Sequence, residues 1–321
     1  MRNVLHIFHI NGGIQLKFFK RKAIVLISLL TIVVVAGCLM IFSKEKKNNA
    51  NNNTPDEKTI EVMANTGDED SKEEASKEEE KPKVVSINHE FKGEKYPISY
   101  GRDIVKGRYK KDGKKVVFLT FDDGPSLNNT PKVLDTLAKN EVRGNFFLLG
   151  KNVDSGEEYQ EVVRRMYSEG HAICSHGYTH DENIIYPNGA VNIENVKKEI
   201  DDTNKAISTA LGLEYKCKAF RFPYGEITRI HGKDKNIKNA VDELQKNNIT
   251  SLDWTSLTKD SEGKQKTKEE LMSILKETSN GKEKVVVLLH DSEGRYDTAG
   301  MIQDIIDYFK SQGYTFGIFD I

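Results

Sequence analysis

From Lys115 to Ile321 the chain repeats one unit, a short apolar run followed by a longer amphipathic stretch. Short apolar runs bounded by turn formers read as buried strands, and stretches with apolar residues three and four apart read as helices. On this pattern strands fall at 116–119, 145–149, 171–175, 219–222, 250–253, 285–289 and 314–319. Helices fall at 131–140, 157–169, 193–211, 236–247, 268–278 and 297–311; Pro131 opens the first and Gly170 stops the second. Repeated strand–helix units imply a parallel sheet, because each helix returns the chain to start the next strand in the same direction. The total length favours an α/β fold closed into a (β/α) barrel, distorted or incomplete, over an open sheet.

Such barrels carry their chemistry at the C-terminal ends of the strands. Reactive side chains should then follow apolar runs, and they do: Asp122 and Asp123, His176, Arg221, Asp253 and His290 each close one. Two adjacent carboxylates with two histidines four residues apart, His176 and His180, make a ligand set for a divalent metal with one carboxylate left to act as a base. Taken singly these residues have simpler readings. Asp-Asp-Gly-Pro is a common turn, a His pair can be surface, Arg221 a solvated charge and Trp254 core. Their joint occurrence at successive strand ends favours a metal-dependent hydrolase. His171 precedes its run and reads as structural.

The first third of the chain is different in kind. Residues 1–22 end in a basic cluster, Lys17, Lys20, Arg21 and Lys22, and 23–42 then carry no charge for the length of a membrane-spanning helix. The charge bias puts residues 1–22 in the cytoplasm and the remainder outside the cell membrane. Val35-Ala36-Gly37-Cys38 also resembles a lipoprotein cleavage box, but Leu39, Met40, Ile41 and Phe42 keep the segment apolar beyond the cysteine, so an uncleaved single-span anchor is favoured. Residues 43–83 are Asn-rich and then Glu/Lys-rich, with too few apolar side chains to repay ordering, and read as a disordered polar linker. As a random coil a tether of that length reaches about 35 Å. Residues 84–114 form a lead-in, with a possible edge strand at 96–100, before a catalytic domain at 115–321.

The 321 residues are 37% hydrophobic and 30% charged, ordinary for a globular chain, and the net charge of −1 offers no basic excess to hold nucleic acid. Nothing in the sequence calls for an obligate protein partner. Cys38 lies in the apolar segment; Cys174 and Cys217 could pair or stand alone, and neither has a role in this reading.

Five ordered motifs carry a family resemblance: Thr120-Phe121-Asp122-Asp123-Gly124-Pro125, His176-Gly177-Tyr178-Thr179-His180, Arg221-Phe222-Pro223-Tyr224-Gly225, Leu252-Asp253-Trp254 and Leu288-Leu289-His290-Asp291. Together they resemble the NodB-homology polysaccharide deacetylases, carbohydrate esterase family 4, and most of all its membrane-anchored peptidoglycan N-acetylglucosamine deacetylases. The resemblance implies a distorted (β/α) barrel that removes N-acetyl or sometimes O-acetyl groups from polysaccharides. It implies that Asp123, His176 and His180 hold a divalent metal, usually zinc; cobalt, nickel or iron suit the same donors. It further implies Asp122 as the base acting on a metal-activated water, with Arg221 making a forked contact that keeps it ionised. By the same resemblance His290 is the general acid, Asp253 keeps it protonated, the Tyr224 backbone N–H meets the developing oxyanion, and Leu288 and Trp254 wall the acetyl methyl. Gly177 departs from the family's usual Ser or Thr, which implies a looser metal loop unless Thr179 substitutes. The anchor and tether place the domain beside peptidoglycan and favour its N-acetylglucosamine residues, a modification that hinders lysozyme-type hydrolases. Poly-N-acetylglucosamine, chitin oligomers and O-acetylated xylan are alternative substrates, and a silent glycan-binding domain is the alternative outside enzymes.

Overall fold

The computed structural model describes residues 93–294 and 298–321. The expected anchor at 23–42, Cys38, the linker at 43–83 and the first part of the lead-in lie outside them. Among the described residues no helix is long and apolar enough to cross a membrane.

In chain order the elements are β1 (Glu94–Pro97), α1 (Ile98–Val105), β2 (Val116–Asp122), α2 (Thr130–Lys139), β3 (Asn145–Leu148), α3 (Gly150–Val153), α4 (Glu157–Ser168) and β4 (Ala172–Ser175). They continue with α5 (Glu182–Ile185), α6 (Ile193–Leu211), β5 (Ala219–Phe220), α7 (Glu226–His231), α8 (Ile237–Lys246), β6 (Thr250–Ser251) and β7 (Ser256–Leu257). The last are α9 (Lys268–Ser279), β8 (Lys284–His290), α10 (Thr298–Ser311) and β9 (Thr315–Asp320). All strand pairs are parallel, and the strands run β6-β5-β4-β3-β2-β8-β7. Among the described residues no ladder joins β6 to β7, so the barrel is incomplete.

Strand alternation sorts the two faces. Val117, Leu119 and Phe121 of β2 and Val285, Val287 and Leu289 of β8 pack outward against the helices. Val116, Phe118 and Val286 point inward with Phe147, Cys174, Ala219 and Leu252. Following the same parity, Thr120 and Asp122 on β2 and Leu288 and His290 on β8 continue the inner face to its C-terminal rim, where Asp122 is register partner to His290.

β8 pairs with β2 over its whole length, so β9 and β3 must share the other edge: β9 takes Val116–Val117 and β3 takes Thr120–Asp122. Asn145, fully buried at the start of β3, bridges the fork. Its Nδ2 donates to Leu119 O at 3.0 Å and its Oδ1 accepts from Phe319 N at 2.9 Å.

The lead-in is not an edge strand at 96–100. Pro97 has no N–H to continue a ladder, so β1 ends there against β9 and the chain turns into α1. This helix buries Ile98 and Ile104 in the inner cluster, and a Cβ at Gly101 would stand 2.6 Å from the Phe319 ring. Between β5 and α8 the chain forms the short helix α7. Cys174 and Cys217 are buried free thiols.

Asn145→Ala leaves a buried carbonyl and a buried N–H unpaired at the fork. The expected loss is about 3 kcal/mol, read as a lower urea midpoint with unchanged slope; an unchanged midpoint would mean that β9 is held without the amide.

Candidate active site

The rim of the inner face is built around Arg221, which follows β5 and is fully buried. Its guanidinium gives Nε to Leu252 O at 2.8 Å, Nη1 to Thr120 Oγ1 at 2.9 Å and to Asp122 Oδ1 at 2.6 Å, and Nη2 to Asp253 O at 3.2 Å. The plane lies over the Phe147 ring, 4.1 Å from its centroid. The contact with Asp122 is therefore single and not forked, because the other donors span acceptors on the end of β2 and the segment after β6. A buried charge pair is tolerated when further hydrogen bonds hold its other donors, and here Leu252 O, Thr120 Oγ1 and Asp253 O do so.

Asp122 is 2% exposed, and with Oδ1 taken by Arg221 its Oδ2 lies 3.7 Å from His176 Nε2. His176 donates Nδ1–H to Arg221 O at 2.8 Å, the tautomer that leaves Nε2 as a lone pair. Asp123 Oδ1 stands 3.5 Å from His176 Nε2 and 3.8 Å from His180 Nε2. Two ligand atoms each about 2.1 Å from a tetrahedral ion are about 3.4 Å apart. One ligand atom from each of Asp123, His176 and His180 lies within 4.8 Å of the others, so the three fit one small divalent ion. Burial lowers the His180 pKa, with the neighbouring His176 adding to it against the pull of Asp123, which favours the neutral imidazole a metal needs.

These positions require unusual backbone. Asp123, His180 and Tyr224 have φ of 70°, 59° and 66°, and such residues persist only when neighbours over-determine them. Asn152 Nδ2 holds Asp123 O at 2.8 Å. The His176–His180 loop is held by Glu199 of α6, 4% exposed, which accepts from Tyr178 N and Thr179 N, both at 2.7 Å, and from Thr179 Oγ1 at 3.0 Å. Gly177, at φ 92°, leaves room for that carboxylate: a Cβ there would be 3.0 Å from Glu199 Oε2. The loop without its usual hydroxyl is thus tied by Thr179 and Glu199 together.

Asp122, His176 and His180 open into a cavity of about 420 Å³ that Trp254, Leu288 and His290 also wall. A neighbouring cavity of about 500 Å³ shares Asp123, His180 and Tyr224, so the site lies in a continuous groove.

Comparison with known proteins agrees with this geometry. Residues 109–248 match the family model described as polysaccharide deacetylase. A CE4 esterase of Streptococcus mutans superposes with a TM-score of 0.63 at 29% identity, covering 74% of this chain and 97% of that one. Residues 109–248 thus carry the likeness to the polysaccharide deacetylases. A bifunctional xylanase/deacetylase of Pseudobutyrivibrio xylanivorans is 34% identical over 203 residues, 63% of this chain and 29% of the relative. A peptidoglycan-N-acetylglucosamine deacetylase of Bacillus cereus is 34% identical over 180 residues, 55% of this chain and 60% of the relative. The chain thus spans less than two thirds of either relative.

At this site one expected pairing is corrected. Asp253 does not sit against His290; it accepts Glu226 N at 2.9 Å and Ile227 N at 2.8 Å, holding the start of α7. The carboxylate beside His290 is Asp260. Its Oδ1 meets His290 Nδ1 at 2.9 Å, and its Oδ2 accepts His290 N and Thr298 Oγ1, both at 2.9 Å. Asp260 follows β7, the neighbour of β8, whereas Asp253 follows β6, the neighbour of β5. The strand-end rule that selected the other residues also selects Asp260, but a two-residue strand carries no periodicity by which to find it. Burial would lower the His290 pKa; the Asp260 charge and hydrogen bond, with Asp122 and Asp123 beyond, overcome it and raise the value to about 9. Asp260 itself is lowered: burial opposes, and the His290 charge and hydrogen bonds prevail.

Two outcomes follow. Glu199→Ala should weaken metal binding about 10- to 100-fold, measured by zinc competition with a chromophoric chelator; unchanged affinity would mean that Thr179 alone steadies the loop. The His290–Asp260 pair carries a folded-state pKa above the unfolded value of about 6.5, so its stabilisation is complete below that pH and is lost as pH rises through about 9. Asp260→Asn should therefore move the alkaline limb of kcat down by about one to three pH units, and a limb that stays in place would assign it to another group.

Proposed function

We propose that this protein hydrolyses N-acetyl groups of an extracellular polysaccharide, with the N-acetylglucosamine residues of peptidoglycan as its substrate. The observation that carries the reading is the pair of opposed proton carriers across one cavity. The Asp122 carboxylate is held by Arg221, and His290, its register partner, is held protonated by Asp260. Amide hydrolysis needs both, a base for the attacking water and an acid for the leaving nitrogen.

Asp123, His176 and His180 would hold the divalent ion, zinc by the hardness and number of the donors, with cobalt, nickel or iron able to replace it. When bound, it supplies a lowered pKa for water and a polarised acetyl carbonyl. Asp122 receives the water proton at Oδ2, while Arg221 keeps Oδ1 fixed. The water oxygen bonds to the acetyl carbon, and the Tyr224 N–H is the fixed donor for the charge that forms on the acetyl oxygen. His290 delivers its Nε2 proton to the amide nitrogen as the C–N bond breaks, so acetate and a free amine leave. Leu288 and Trp254 enclose the methyl group. Membrane anchorage through 23–42 and the reach of 43–83 support a wall substrate, as does the likeness to the B. cereus peptidoglycan deacetylase.

Acetate release from purified peptidoglycan and from N-acetylglucosamine oligomers tests the reading. Release should require metal, vanish with chelator, return with zinc, and fall at least about 1,000-fold in Asp122→Asn, whose metal affinity should persist. Release from oligomers alone would move the substrate away from the wall, and no release by the metal-loaded chain would favour a glycan-binding protein. Membrane fractionation of the full chain against one lacking 1–42 tests the anchor, which predicts that only the full chain sediments.

A further inference from the structure

The turn that carries Tyr224 is gripped from behind by α1, which precedes the segment matched by the family model. Glu226, two residues after Tyr224, is 4% exposed. Arg102 of α1 grips its carboxylate with both terminal nitrogens, Nη1 to Oε2 at 2.7 Å and Nη2 to Oε1 at 3.2 Å, and also gives Nη1 to Ser251 O at 2.7 Å. Lys106 Nζ adds a contact to Oε1 at 2.9 Å and Ser251 Oγ one to Oε2 at 2.7 Å. The backbone of the same residue is fixed by Asp253, which accepts Glu226 N and Ile227 N. Glu226 is thus held at both ends, its amide by the segment after β6 and its side chain by the lead-in helix.

We propose that Arg102 is a positioning residue for the Tyr224 turn: its bidentate grip on Glu226 sets the backbone that meets the acetyl oxygen. Tyr224 at φ 66° and Gly225 at φ 85° form a turn that relaxes unless both flanks are fixed. Losing the guanidinium leaves a buried carboxylate with Lys106 and Ser251 only, and the carboxylate regains solvation by swinging outward and taking the start of α7 with it. The kinetic consequence rests on the deacetylase reading. The clamp itself can be read without it, because Trp254, the single tryptophan of the chain, lies against the turn: a Cβ at Gly225 would be 2.8 Å from its ring.

The test compares the full chain with Arg102→Met, Arg102→Lys and Arg102→Met/Glu226→Gln, following acetate release, zinc affinity and Trp254 emission. Arg102→Met should lower kcat about tenfold, as small misplacements of a catalytic donor do, with KM and zinc affinity within about twofold and emission moved to longer wavelength. Arg102→Lys should be intermediate, since an ammonium cannot make the fork. The double variant should recover most of kcat and the wild-type emission, because a neutral amide no longer needs the guanidinium. Wild-type kcat and emission in Arg102→Met would overturn the proposal. So would a joint loss of kcat and zinc affinity that the double variant fails to restore, which would give α1 a purely structural role. Should the wild-type chain release no acetate, the deacetylase reading falls, and the emission series alone decides for or against the clamp.

Discussion

Everything at the rim of this barrel depends on one fully buried guanidinium. Arg221 ties the ends of β2, β5 and the segment after β6, and it does so by hydrogen bonds that only a planar five-donor group can make together. Its carbonyl fixes the His176 tautomer and its Nη1 fixes Asp122, so one residue sets both the proposed ligand geometry and the proposed base. Removing it would leave an uncompensated buried carboxylate, a cost of about 3–5 kcal/mol, and would free the strand ends at the same time. Stability and chemistry cannot be separated at this position.

The proposed acid and the proposed base are separated by topology. Asp122 and His290 are register partners on adjacent strands, close enough to serve one bond, yet each has its own counter-charge: Arg221 from the β5 side, Asp260 from the β7 side. The two groups thus face one cavity with counter-charges of opposite sign, the arrangement that hydrolysis of an amide calls for. Asp253 follows β6 and Asp260 follows β7, and the absence of a ladder between these two strands among the described residues divides their work. One carboxylate serves the Tyr224 turn, the other serves the imidazole.

Strain at the site is matched by carboxylates placed outside it. Glu199 on α6 gathers the amides of the metal loop, and Glu226, gripped by α1, secures the turn beyond Tyr224. Both are buried acidic residues with no direct part in the reaction, and both stand behind a left-handed backbone position that would otherwise relax. The lead-in helix thereby supports the rim from outside the repeating pattern.

The sequence alone determined the parallel α/β architecture, since strand and helix periodicities from Val116 onward are clear, and it determined the residues that end long strands: Asp122, Asp123, His176 and His290. These were legible because a run of several apolar residues fixes both where a strand lies and where it stops. Tertiary structure decided what short or irregular segments do. β7 is two residues long and α1 is entered through a proline, so neither Asp260 nor Arg102 could be connected to its partner along the chain. Asp253 and Asp260 are seven positions apart and chemically identical, and only the strand order, β6 beside β5 and β7 beside β8, tells which one reaches the imidazole. A local pattern specifies where a side chain emerges, whereas the partner it meets is set by which strands become neighbours.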